Sequence, residues 1–115
     1  MPQAQQDAVT GRELFHPARD EIKLESVLHA LSDPTRLHIA YTLGRLGEVA
    51  CSVIDCEVAK STTTHHYRVL REAGVISQVY RGTSKLNALR RDDLDARFPG
   101  LLDSVLRAAV PQPPA

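Results

Sequence analysis

Two glycines, Gly74 and Gly82, constrain this chain more than any other feature. The stretch Lys60-Ser61-Thr62-Thr63-Thr64-His65-His66-Tyr67-Arg68-Val69-Leu70-Arg71-Glu72-Ala73-Gly74 reads as a helix with a defined stop. Gly74 takes the left-handed position after the last turn, and Val75 and Ile76 pack back on it. Ile76 to Tyr80 and Lys85 to Leu89 are β-compatible segments around Arg81-Gly82-Thr83-Ser84, so a hairpin with a basic tip follows the helix. On that helix Tyr67, Leu70 and Ala73, with Thr63 one turn earlier, share the side that docks on a core. Thr62, Thr64, His65, Arg68 and Arg71 then face outward.

The rest of the chain is read around this unit. Residues 1–18, with Gln3, Gln5, Gln6, Pro2, Gly11 and Pro17, lack apolar periodicity and read as a mobile arm. A first helix is expected from about Arg19 to Leu31, with Ile22, Leu24, Val27, Leu28 and Leu31 as its apolar stripe. Asp33 then caps a new helix and Pro34 fits its first position, where a missing N–H costs nothing. Leu37, Ala40, Leu43 and Leu46 follow at a spacing of three. Glu48 to Val58 supports no more than a short, imperfect helix or turn. After Arg90-Arg91, Asp92 or Asp93 can cap a helix carrying Leu94 and Phe98. Pro99 starts another, whose Leu101, Leu102, Val105, Leu106 and Ala109 exceed what one small core needs and point to a subunit interface. Residues 19–109 form the domain, and residues 110–115, rich in proline, form a disordered tail.

At 115 residues the chain has room for one domain and not two. No apolar run approaches the roughly 20 residues that cross a bilayer, and the start does not resemble a signal peptide. A soluble, cytoplasmic protein without membrane partners is expected. The net charge of zero hides a segregation: between Val58 and Arg91 seven basic side chains stand against one acid, Glu72. Elsewhere seven basic residues face 13 acids. A polyanion is the natural partner of the basic segment.

Helix, turn, helix and two-stranded hairpin is the order of a winged helix-turn-helix, a mostly α fold with a small β-hairpin. In that arrangement the second helix enters the major groove with its N-terminal residues toward base edges. Ser61, Thr62 and Thr64 can donate to phosphate or bases, and His65, Arg68 and Arg71 lie along the same outward face. Lys60, Arg81 and Lys85 serve as point charges on the backbone. Double-stranded DNA is therefore the expected partner. A winged-helix module whose basic face meets an acidic protein is the alternative, since fold alone does not fix function. No nucleophile–base set and no phosphate-binding glycine loop appears, so no enzyme, catalytic residue or cofactor is expected.

Ala30-Leu31-Ser32-Asp33-Pro34-Thr35-Arg36-Leu37, followed by Ser61 through Ile76, resembles the ArsR/SmtB family of bacterial winged-helix repressors. The resemblance spans about residues 20 to 108. It implies a homodimer joined through its first and last helices, binding to an inverted-repeat operator, and derepression when a signal loosens the DNA-bound form. Many members of that family carry a Cys-x-Cys metal site. Here Cys51 and Cys56 are separated by four residues. Others hold zinc through Asp, His and Glu on the last helix, where this chain has Asp92, Asp93, Asp95 and Asp103 but no histidine. No metal site is expected at those positions.

Cys51 and Cys56 admit three readings: small, partly buried apolar fillers; a redox switch; or a repressor site for thiophilic metal or arsenic. On a regular helix residues five apart exceed the roughly 7 Å Cα separation that a disulfide tolerates, so an intrachain bond needs irregular backbone there. His65 and His66 are neighbours that point about 100° apart and do not share an ion. His65 is read as facing DNA and His66 as a hydrogen-bonded packing residue.

Overall fold

Asp33 starts a helix in the manner its position before Pro34 requires. Its Oδ2 accepts the amides of Thr35 at 2.8 Å and Arg36 at 3.1 Å, and Pro34 occupies the first turn of α2 (Pro34–Leu46). The computed structural model describes residues 14–50, 53–54 and 60–110. Besides α2 it contains α1 (Leu24–Ala30), β1 (Val49–Ala50), α3 (Lys60–Glu72), β2 (Ile76–Arg81), β3 (Ser84–Leu89), α4 (Arg91–Arg97) and α5 (Leu101–Ala108). The strands form one antiparallel sheet in the order β1–β3–β2.

The single helix expected from Arg19 to Leu31 is divided. A 3-10 turn covers Arg19–Glu21, Ile22 is extended at φ −75° and ψ 125°, and α1 begins only at Leu24. The break follows from where Ile22 goes. It is 1% exposed and fills the space beside Gly74, where an added Cβ would lie 2.6 Å from its Cγ1. Its carbonyl, which an unbroken helix would use internally, is taken by the Arg97 guanidinium. Of the expected stripe, Val27 and Leu31 reach the core, whereas Leu24 and Leu28 remain 43% and 46% exposed.

On α2 the buried side chains are Arg36, Ile39, Ala40 and Leu43. Leu46, expected on the same stripe, is 51% exposed. Steps of three fall about 60° short of a full turn, so the Leu37–Leu46 series drifts around the helix. Glu48 to Val58 begins with β1 rather than a helix: Val49 pairs with Asn87 and Ala50 with Leu86. A two-residue strand is too short to print an alternating pattern. Ile54 is buried and Val53 exposed, while Cys51 and Cys56 lie outside the described residues.

Gly74 ends α3 as its placement predicts. At φ +89° it lets its own amide bond Arg71 O and the Val75 amide bond Leu70 O, both at 3.0 Å, which is the Schellman pattern. The hairpin turn is Gly82-Thr83, one residue tighter at each side than expected, because Arg81 pairs with Ser84. Of the two turn residues Gly82 alone carries positive φ, +62°, as in a type II′ turn. Arg90, not Asp92 or Asp93, holds the position before α4, and no side chain caps it. Asp93 instead binds Arg19 Nε at 2.7 Å and Arg90 Nε at 2.9 Å. The last helix starts at Leu101, after Gly100, rather than at Pro99.

The core gathers Ile22, Val27, Ala30, Ile39, Ala40, Leu43, Leu70, Val75, Ile76, Leu94 and Leu102. Packed chain begins before residue 19, since Phe15, His16 and Pro17 already bond to Arg71 of α3, Gln78 of β2 and Arg90 after β3. Among the described residues no helix is long and apolar enough to cross a membrane.

Candidate nucleic-acid interface

The two sides of α3 are chemically distinct. Facing the core, Leu70 is fully buried, Tyr67 is 3% exposed and His66 8%. Facing outward, Ser61, Thr62, Thr64, His65 and Arg68 are all exposed. Ser61, Thr64, His65 and Arg68 fall on one stripe of helical spacing, so hydroxyls at the start of the helix and a guanidinium two turns later share a face. Lys60 opens the helix.

His66 packs as a hydrogen-bonded residue. Its Nδ1 lies 3.2 Å from Nη1 of Arg36 and 3.9 Å from Oδ2 of Asp33. A guanidinium can only donate, so this Nδ1 accepts and the imidazole carries its proton on Nε2. Arg36 also donates to Ala30 O at 2.7 Å and to His29 O at 3.4 Å. One buried cation thereby ties the end of α1 and the start of α2 to α3. Asp33 sits beside this contact. Burial pushes its pKa up, but the amides of Arg36 and Thr35, with the charge of Arg36, outweigh that and hold it below the ordinary carboxylate value.

Arg71 departs from its expected outward placement. It is partly buried and gives Nη1 to Gln78 Oε1 at 2.6 Å and Nε to Phe15 O at 3.0 Å. The reason is helical phase: Arg71 stands one turn after the buried Tyr67, and so on the inner flank. Arg90 and Arg91 are likewise occupied, by Asp93 and by Asp103 at 2.8 Å. The charge segregation in the sequence therefore divides. Three arginines of the basic segment serve internal contacts, whereas Arg68, Arg81 and Lys85 have no carboxylate partner among the described residues. Arg81 is exposed at the hairpin end, and Lys85 Nζ stands 5.5 Å from the centre of the Tyr80 ring.

Sequence reasoning passes over Arg36, His16, Gln78 and Asn87, all of which hold the interface from behind. Gln78 and Asn87 are 1% and 0% exposed and face each other across β2 and β3, with Gln78 Nε2 donating to Asn87 Oδ1 at 2.7 Å. A two-residue turn at Gly82-Thr83 fixes that register, so the pairing is available from the turn alone. Burial of Arg36 and docking of His16 carry no comparable sequence signal.

No protein-family model matches the chain. A Bacillus subtilis (strain 168) protein described as the uncharacterized helix-turn-helix-type transcriptional regulator YceK is 34% identical over 89 residues, covering 75% of this chain and 88% of its own length. A Staphylococcus aureus protein described as a homolog of the cadmium resistance transcriptional regulatory protein CadC is 36% identical over 77 residues, 65% of this chain and 62% of its own. Two crystal structures share the fold. An ArsR family transcriptional regulator superposes with a TM-score of 0.59 at 24% identity, covering 70% of this chain and 90% of its own. The transcriptional repressor BigR from Xylella fastidiosa gives 0.59 at 19% identity, with 96% of each chain covered.

Proposed function

The chain belongs to the ArsR/SmtB family of winged helix-turn-helix transcriptional regulators, and from that membership we propose that it acts as a homodimeric repressor on an inverted-repeat operator. It is a DNA-binding regulator of the ArsR type. The relatives are regulators and not enzymes, and the chain is read as a non-enzymatic, cytoplasmic protein. In the complex Lys60, Ser61, Thr62, Thr64, His65 and Arg68 meet the major groove at the start and middle of α3. Arg81 and Lys85 meet the neighbouring backbone from the hairpin, which acts as the wing. Arg71 is removed from the contact set, because its guanidinium is engaged by Phe15 and Gln78.

The observation that carries this reading is the polarity of α3: an exposed hydroxyl and arginine face backed by His66, Tyr67 and Leu70. Dimer formation is supported by apolar side chains that one subunit leaves in water, Leu24 and Leu28 on α1 and Val110 after α5, 43%, 46% and 46% exposed. The test is titration of a palindromic duplex, taken from the DNA upstream of the coding region, with wild type and Arg68→Ala. Weaker binding by a folded variant supports the reading. Equal binding removes Arg68 from the interface, and no duplex affinity in the wild type favours the acidic-protein partner.

A further inference from the structure

One polar chain joins segments that are far apart in sequence. Phe15 O accepts Arg71 Nε at 3.0 Å, and Arg71 Nη1 donates to Gln78 Oε1 at 2.6 Å. Gln78 Nε2 donates to Asn87 Oδ1 at 2.7 Å, and Asn87 Nδ2 donates to Val49 O at 3.4 Å. The chain runs from the N-terminal segment through the last turn of α3 and both wing strands to β1. Its two central amides are completely shielded from water, so their hydrogen bonds have no solvent substitute.

His16 fastens the near end of this chain. The backbone N–H of Gln78, on edge strand β2, donates to His16 Nε2 at 3.0 Å. His16 Nδ1 lies 2.8 Å from Leu14 O. An amide N–H can only donate and a carbonyl can only accept, so the ring is confined to one neutral tautomer, protonated on Nδ1. A second proton would set an N–H against the Gln78 N–H.

We propose that His16 is a proton-sensitive positioning residue for DNA binding: its neutral ring locks the segment before α1 onto the wing, and protonation on Nε2 releases that segment and loosens the clamp between α3 and the wing. The inference rests on the DNA-binding reading above. Release matters because the same segment supplies two further anchors, Phe15 O to Arg71 and Pro17 O to Arg90 Nη1 at 2.7 Å. The charged groups around the ring are Arg71 from α3 and Arg90 from the end of β3, with Asp93 of α4 engaged by Arg90 and Arg19; β2 faces it with the Gln78 amide. Burial, then the charges of Arg71 and Arg90, lower the His16 pKa from the ordinary histidine value, against the Leu14 carbonyl, which raises it. The ring is therefore neutral at pH 7, and the latch opens only when acid supplies the second proton.

The experiment has two arms. The DNA-free arm reads the His16 ring nitrogens by NMR and the exchange of the Gln78 amide from about pH 7.5 to about pH 5. A proton on Nδ1 at the upper end, and protection of the Gln78 amide, taken against its intrinsic exchange rate at each pH, that falls as the ring titrates, are expected. A proton on Nε2, or titration without change at Gln78, overturns the latch. The second arm measures affinity for the duplex upstream of the coding region across the same range, with wild type and His16→Gln, which offers an acceptor that does not titrate. Wild type should lose about fivefold more affinity than the variant toward acid, within the range of coupling energies between linked sites. Coincident profiles overturn the positioning role. A wild type that binds no duplex at any pH overturns the DNA reading itself, while the ring titration still decides the tautomer without any variant.

Discussion

Nη1 of Arg36 stands 3.2 Å from Nδ1 of His66 and joins the first turn of α2 to the middle of α3. Arg36 is 8% exposed, and its guanidinium also holds the carbonyls of Ala30 and His29 at the end of α1. The helix that carries the candidate DNA face is thus aimed by a buried cation and not by apolar packing alone. The arrangement is economical in that one side chain satisfies both the Ala30 carbonyl at the end of α1 and the His66 ring on α3.

Removing that cation should be costly. Arg36→Ala leaves the Ala30 carbonyl and the His66 ring without this donor in a buried site, and should lower stability by about 2–4 kcal/mol. Urea unfolding followed by circular dichroism measures it. A midpoint that does not move would mean water replaces the guanidinium freely.

Gly74→Ala should be comparably severe for a different reason. At φ +89° an L side chain is strained, and the new Cβ would meet Ile22 at 2.6 Å, inside van der Waals contact. The left-handed conformation alone costs about 1–2 kcal/mol, and displacing Ile22 from the core adds to it. Thermal melting is the check, and a variant that melts with the wild type contradicts the close approach of the two segments.

How much of this is legible in the sequence depends on the kind of physics involved. Asp33-Pro34, Gly74 and Gly82 act within a few residues, so the cap, the helix stop and the hairpin can be read directly. Helical phase puts His66 inward and Arg68 outward. The same rule, applied from Tyr67, turns Arg71 inward, against the outward placement expected of it. The break at Ile22 is hidden because its cause, the surface of Gly74, lies 52 residues away. For β1 the signal is absent, since its partner Asn87 is supplied by the far strand of the wing. The sensing role raised for Cys51 and Cys56 falls outside the described residues.

Acid should destabilise the fold in separate windows. Asp93 is held below the ordinary carboxylate value chiefly by its hydrogen bond from Arg19, with Arg90 adding, against burial, which raises it. Asp33 is lowered as well. A carboxylate depressed in the folded state contributes stability that is present above its unfolded pKa, near 4, and is lost as pH falls through the lower folded value. His16, also lowered, contributes stability that is full above about pH 6.5 and declines below it. Urea midpoints should therefore fall first in mild acid and again below about pH 4. Asp93→Asn should flatten the lower step and leave the upper one, and an unchanged lower step would remove Asp93 from its cause.

If the exposed side of α3 grips the duplex while Arg71 works from within, salt dependence separates the two roles. Each phosphate that a variant no longer neutralises should reduce the slope of log affinity against log salt by about 0.9. Fluorescence anisotropy titrations of the upstream duplex over a range of salt should show Arg68→Ala with weaker binding and a shallower slope. Arg71→Ala should bind more weakly with the wild-type slope. An unchanged slope and affinity for Arg68→Ala, or a shallower slope only for Arg71→Ala, would contradict the account.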